Sequence, residues 1–286
     1  MAKSALLKSS IGKKYWMALT GLFLCLFLVG HLIGNLQLIF ADAKAFNDYA
    51  VFMTTNPAVK ILSYVTYASI IFHAIDGIIL TVQNQKARPI GYAMNRPSKN
   101  SMWASRNMAV LGTVILVFIV THMVNFWARM HFDENMPLAS KEITNMGGTQ
   151  KMAIGVLGSP NAMIPVRPDG TIDPELLKQY KLKQVHVTSV VDEKGEEVFK
   201  GTKDLHKITV DFFKHEKYGL IATLLYVFSM IVLGFHLYHG FGSAFQSLGA
   251  NNPKYNGFIR GFGYAFAIIV PALFAAIPLY IHFLLK

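Results

Sequence analysis

The sequence predicts an all-α membrane protein: a bundle of five transmembrane helices, with a long external loop carrying a β-hairpin between helices three and four. Three observations predict it. The chain of 286 residues is 53% hydrophobic and only 15% charged, with a mean hydropathy of +0.37. That departs from the composition of a soluble domain. Five apolar stretches are each long enough to cross a bilayer. The excess positive charge is confined to alternate connections between them.

The first apolar stretch covers residues 17–40 and has no charge. It is too long for the hydrophobic part of a signal peptide and lacks a small-x-small exit, so it reads as a retained span. The lone cysteine, Cys25, lies in it. It cannot form an internal disulfide and reads as a small buried hydrophobe. The other spans are placed at about 61–82, 107–129, 218–241 and 262–285. Asp76 and the terminal Arg129 are the charged residues within them. A membrane β-barrel would show short alternating segments instead. Pro271 is the one sign of a broken span. These assignments divide the chain at 1–131, 132–213 and 214–286.

The formal charge is +11. Lys3, Lys8, Lys13 and Lys14 precede span one. Lys86, Arg88, Arg96, Lys99 and Arg106 follow span two. Lys254 and Arg260 follow span four. These three segments hold no acid and account for the whole excess, leaving 16 bases against 16 acids elsewhere. This is the positive-inside pattern. It predicts a cytoplasmic N-terminus and, after five spans, an external C-terminus. The basic faces suit anionic lipid or a docked subunit; no nucleic-acid-binding module accompanies them. The connection 130–217 is then external. Within it, 184–191 and 197–210 are rich in β-branched residues around Glu193-Lys194-Gly195, the signature of a hairpin.

Four spans each carry a histidine: His31, His73 and His122 beyond the middle of theirs, and His236 close to the end of its own. An ionisable residue in a bilayer is costly and by default a functional-site hypothesis. With the predicted orientation, His31 and His122 lie toward the outside, and His73 and His236 toward the cytoplasm. The depths pair them as His31/His122 and His73/His236. At a rise of about 1.5 Å per residue the two levels differ by roughly 10–20 Å. Both His73-Ala-Ile-Asp-Gly77 and His236-Leu-Tyr-His-Gly240 place a glycine four residues on. That glycine lies on the imidazole's own helix face and leaves room there for a flat macrocycle. His31 has Gly30, Gly34 and Asn35 nearby; His122 has Thr121 and Asn125. Two neutral imidazoles saturate a haem iron, which then transfers electrons and does not bind oxygen. A proton relay of a transporter is the rival use of such histidines. Interhelical hydrogen bonding is the bland one. Zinc ligands ordinarily come in sequence-near sets and are a weaker fit.

His239 lies one turn beyond His236 and is the alternative ligand. His131, His186, His206 and His215 belong to the external segment or its ends, and His282 to the end of span five. Asp76 follows His73 by three residues and would pair with a base, orient His239 or stay a neutral acid. Trp103 reads as an interfacial anchor.

Several motifs resemble one family: Ser10-Ile-Gly-Lys-Lys-Tyr-Trp-Met-Ala-Leu-Thr-Gly21, Gly30-His31-Leu-Ile-Gly-Asn35, Ala45-Phe-Asn-Asp-Tyr49 and His236-Leu-Tyr-His-Gly-Phe-Gly-Ser-Ala-Phe-Gln246. The chain resembles the five-helix, di-haem cytochrome b membrane anchor of succinate dehydrogenase/fumarate reductase (complex II), over all five spans. The resemblance implies two haem b groups, with iron ligands His31/His122 on the distal haem and His73/His236 on the proximal one; it favours His236 over His239. It implies flavoprotein and iron–sulfur subunits on the cytoplasmic face of a bacterial inner membrane. Electrons from succinate would pass through those subunits and the two haems to a quinone, usually menaquinone. The anchor alone would do no succinate chemistry, and its place is in the respiratory chain and tricarboxylic acid cycle. Ser9, Ser10, Lys13, Lys14, Trp103, Ser243 and Gln246 are candidate propionate donors. Asp42 and Asp48 are candidate quinone-site acids, against a plain reading as solvated loop acids.

Two features depart from the family. The external segment is longer. Gly234 also stands where some fumarate reductases carry a proton-conducting glutamate, which leans the reading toward succinate oxidation. A cytochrome b of another respiratory dehydrogenase and a proton-coupled transporter are the alternatives.

Overall fold

A computed structural model of the chain describes residues 9–87, 90, 96, 99, 101–145, 148–156 and 158–285. Lys3, Lys8 and Arg88 of the basic segments, and the Ser10 side chain, lie outside the described residues. The fold is mainly helical, and among the described residues five helices are long and apolar enough to cross a membrane: Ile11–Phe40, Pro57–Lys86, Met108–Phe132, Gly219–Ser247 and Pro253–Leu284. This is the architecture of a multi-pass membrane protein. The chain divides into two compact units. One comprises Met1–Leu36, Asn56–Val120 and Leu220–Lys286; the other comprises Gln37–Thr55 and Thr121–Gly219.

Most of the membrane-spanning helices outrun the apolar windows in the sequence because polar caps start them early. Helix α1 (Ser10–Phe40) begins where the Ser9 hydroxyl accepts the Gly12 amide at 2.9 Å. After α2 (Ala43–Thr55), helix α3 (Pro57–Lys86) opens on Asn56, whose side chain accepts from Ala58 and Val59, with Pro57 in the first turn. Both devices satisfy amides that a helix start leaves without partners. A short α4 (Trp103–Arg106) leads into α5 (Met108–His122). Span three then continues through a π-helical stretch, Met123–Ala128, into α6 (Arg129–Phe132).

In the first unit, Cys25, Leu237, Phe241 and Ala267 form one buried cluster, joining spans one, four and five. Ala104, Leu111 and Val232 form another, beside spans three and four. Large apolar side chains such as Leu26, Ile33 and Ile268 point outward at more than 60% exposure. That is how a helix surface meets lipid instead of water.

The second unit carries the segment between spans three and four. It holds two three-stranded antiparallel sheets: β1 (Ser140–Asn145), β2 (Gly148–Ile154) and β3 (Met163–Pro165), then β4 (Lys183–His186), β5 (Ser189–Val191) and β6 (Glu197–Lys200). Helix α7 (Pro174–Gln179) lies between β3 and β4. One core serves both sheets, built on Leu138, Ala153, Ile164, Val166, Ile172, Val190 and Phe199.

The hairpin expected around Glu193-Lys194-Gly195 is present as β5–β6, with Gly195 at φ +83° closing its turn. Its strands are shorter than expected. The first arm folds back on itself at Val187-Thr188 to make β4 and β5. The second stops at Lys200, because Asp204 caps a new helix, α8 (Leu205–Lys214), by accepting the Lys207 amide at 2.9 Å. The strands β1 to β3 and helix α2 were not expected from the sequence.

Helix α9 (Gly219–Ser247) and helix α10 (Pro253–Leu279) complete the spans, the last ending in a π-helical turn, Tyr280–Leu284. Pro271 does not break span five; both Pro271 and Pro278 lie inside α10. A proline deprives the carbonyl four residues earlier of its donor. Here that carbonyl, on Ala267, faces Gly234, whose added Cβ would come within 3.1 Å of it. Position 234 is therefore close to backbone, and any side chain there would ask the Ala267 carbonyl to give by a few tenths of an ångström.

Candidate functional site

Helices α3 and α9 bring His73 and His236 together, with ring centroids 6.2 Å apart and planes at 65°. A separation of 6.2 Å is ordinary for two rings packed edge to face; two imidazoles this near one another are also a donor pair that a haem iron could take.

Two glycines on neighbouring spans face the pair. A Cβ on Gly21 of α1 would stand 3.2 Å from His73 Cε1. A Cβ on Gly112 of α5 would stand 3.8 Å from His236 Cε1. Both helices thus approach the imidazoles with no side chain in between. Gly240 faces open space, and Gly77 lies near the Met17 methyl, whose Cε would be 3.8 Å from an added Cβ. Room beside the rings is what a planar macrocycle requires.

The two imidazoles differ in their second nitrogens. The Thr20 hydroxyl donates toward the carbonyls of Trp16 (2.9 Å) and Met17 (3.1 Å) and lies 3.2 Å from His73 Nδ1. His236 Nδ1 is buried and has no hydrogen-bond partner among the described residues.

His31 lies in the first unit, between Phe27 of its own helix, at a centroid distance of 5.3 Å, and Phe274 of α10, at 5.7 Å. Asn35 is beside it as the spacing predicts. Its amide donates to the His31 carbonyl at 2.8 Å and lies 3.4 Å from both ring nitrogens. His122 belongs to the second unit, 5.3 Å from Phe126, at the point where α5 passes into the π-helical stretch. Such stretches are frequent at functional sites.

The candidate propionate donors spread along the ends of the spans. Ser9 caps α1, and Trp103 meets Phe235 edge-on at 5.5 Å. Lys14 and Gln246 are exposed, and Lys13 and Ser243 partly so. Of the candidate quinone-site acids, Asp42 caps α2 by accepting the Ala45 amide at 2.7 Å. Asp48 pairs with Lys44 at 2.5 Å on an exposed surface. That contact raises the Lys44 pKa through the Asp48 hydrogen bond and charge. Asp76 is partly exposed, and no ion pair of the described residues includes it.

The remaining histidines have local roles. His131 stacks on Trp127 at 4.5 Å and donates from Nδ1 to its carbonyl, and His215 stacks on Tyr218 at 3.6 Å. His282 packs on Phe283. Among the described residues, no cluster of three or more His, Cys, Asp or Glu is arranged to hold a metal ion.

Sequence reasoning missed Thr20, Gly21 and Gly112. Thr20 and Gly21 end the first motif quoted above, but nothing in one sequence says which neighbouring span they face. Asn47, inside the Ala45–Tyr49 motif, was missed too. It is buried and links α2 to α8: its amide donates to Asp204 at 2.8 Å, and its carbonyl oxygen accepts the His206 amide at 3.0 Å. No protein-family model, curated protein or solved structure matches this chain.

Proposed function

We propose that the chain is the di-haem cytochrome b membrane anchor of a succinate:quinone oxidoreductase. His73 and His236 would hold one haem b; His31 and His122 would hold the other. The observation that carries this reading is the His73/His236 pair, two imidazoles from different spans with rings 6.2 Å apart and faced by glycines from two further spans. A bis-imidazole haem exchanges single electrons and leaves the iron no open position. The chain's own part is to supply the imidazoles from its spans and keep bulk away from their edges.

The motifs quoted above support complex II over another respiratory dehydrogenase. On this reading the partners are a flavoprotein and an iron–sulfur subunit on the cytoplasmic side of a bacterial inner membrane, with the N-terminus cytoplasmic and the C-terminus external. The electron acceptor is a quinone, menaquinone by the resemblance. Gly234, packed against the Ala267 carbonyl, supports succinate oxidation over a fumarate reductase that uses a glutamate there.

The test is a reduced-minus-oxidised spectrum of the purified complex. Two low-spin b haems per chain, with a covalent-flavin subunit co-purifying, are expected. A colourless preparation from haem-replete cells would overturn the haem reading and leave a proton-coupled transporter. Haem with a different partner set would overturn complex II.

A further inference from the structure

We infer that Thr20 is a positioning residue: it fixes His73 as the Nδ1–H tautomer and thereby presents the lone pair of Nε2 to the site shared with His236. A threonine hydroxyl has one proton and two lone pairs. The Thr20 proton is directed at the carbonyls of the preceding turn, Trp16 and Met17, at 2.9 and 3.1 Å. What the hydroxyl has left for His73 Nδ1, 3.2 Å away, is a lone pair, and the Met17 carbonyl, an acceptor only, also takes a hydrogen bond from His73, so α1 offers the ring acceptors. A lone pair binds a proton donor, so Nδ1 carries the hydrogen and Nε2 does not. In imidazole ligation the hydrogen bond made by one nitrogen decides which nitrogen is free for a metal.

The local structure makes the arrangement specific. Thr20 is buried at 6% exposure, so water does not compete for the hydroxyl. Gly21, next to it, brings α1 close enough for the contact, since its added Cβ would lie 3.2 Å from His73 Cε1. His236 has no counterpart, its Nδ1 being buried without a hydrogen-bond partner among the described residues. The pair is thus asymmetric: one ligand is oriented by a neighbouring helix and the other by packing. A ligand whose Nδ1–H is held by an acceptor is the more basic one and favours oxidised iron.

This inference rests on the haem reading for its consequence but not for its test. With 15N-labelled histidine in the full chain, His73 is expected as the Nδ1–H tautomer in the wild type and in Thr20→Ser. Thr20→Val, which keeps the shape and leaves only the Met17 carbonyl as acceptor, should give a mixture of the two tautomers. In haem titrations of apoprotein, Thr20→Val should weaken one of two sites by about 10–100-fold, the usual cost of losing such an orienting group. It should also raise the potential of that haem alone, with Thr20→Ser restoring both. An Nε2–H tautomer in the wild type overturns the inference. So do a tautomer, affinity and potential that Thr20→Val leaves unchanged. If the wild type binds no haem but shows the Thr20-dependent tautomer, the haem reading fails and the role of Thr20 stands.

Discussion

At the scale of single residues, the four span histidines should act in pairs. His73→Ala and His236→Ala should each remove the same haem, leaving one per chain. His31→Ala and His122→Ala should each remove the other. Haem content and spectra of the four variants check this; two variants of one pair removing different haems would refute the pairing. Gly21→Val belongs with the first pair. Even a single Cβ there lies within 3.4 Å of His73, the range in which a neighbour must yield. Two further methyl groups should displace the ring and lower inner-haem occupancy while sparing the outer one.

A different residue, His206 in α8, sets a pH dependence outside the membrane. Burial lowers its pKa, with Asp204 and Asp42 opposing. The folded state then binds that proton less readily than the unfolded chain. Its contribution to stability is full above the unfolded value of about 6.5 and declines as pH falls below it. Hydrogen exchange of the α8 amides should accelerate as pH drops from 7 toward 5, beyond the intrinsic pH trend. His206→Asn should flatten the added response.

At the scale of elements, α2 and α8 depend on Asn47. Its side chain makes two hydrogen bonds, a buried one to Asp204 and a partly buried one with the His206 amide. Asn47→Ala would leave the buried Asp204 carboxylate short of a donor, at a cost of about 1–3 kcal/mol. The expected result is faster hydrogen exchange confined to α2 and the start of α8, with the haem spectrum unchanged.

This link also shows where the sequence stops being informative. The spans were legible because a bilayer demands about twenty apolar residues in a row. The histidines were legible because an imidazole in such a run needs a reason. The β5–β6 hairpin was legible from its turn chemistry. Helix α2 was not, because its apolar face is short and is set by a contact with residues more than 150 positions away. The strands β1 to β3 have mixed polarity, and their burial comes from a core shared with β5 and β6. Thr20 and Gly112 meet the site across helix interfaces, and helix rotation is not written in hydropathy.

At the scale of the whole molecule, the alternating basic segments make the sharpest claim. Lys13 and Lys14, Arg96, Lys99 and Arg106, and Lys254 and Arg260 flank alternate ends of the spans. If positive charge stays inside, the connection after span four is cytoplasmic and the β5–β6 turn is external. Two engineered cysteines separate the possibilities. Gly257→Cys sits in open space, and Lys194→Cys in an exposed turn. The native Cys25 is buried and contributes little background. In intact cells with a permeabilised outer envelope, a membrane-impermeant maleimide should label position 194 at once and position 257 only after the inner membrane is opened. The reverse pattern would invert the chain. It would also move the His73/His236 level to the outside, away from any cytoplasmic subunit that delivers electrons. Orientation and haem order are therefore one claim, because the same lysines and arginines that set the first assign the second.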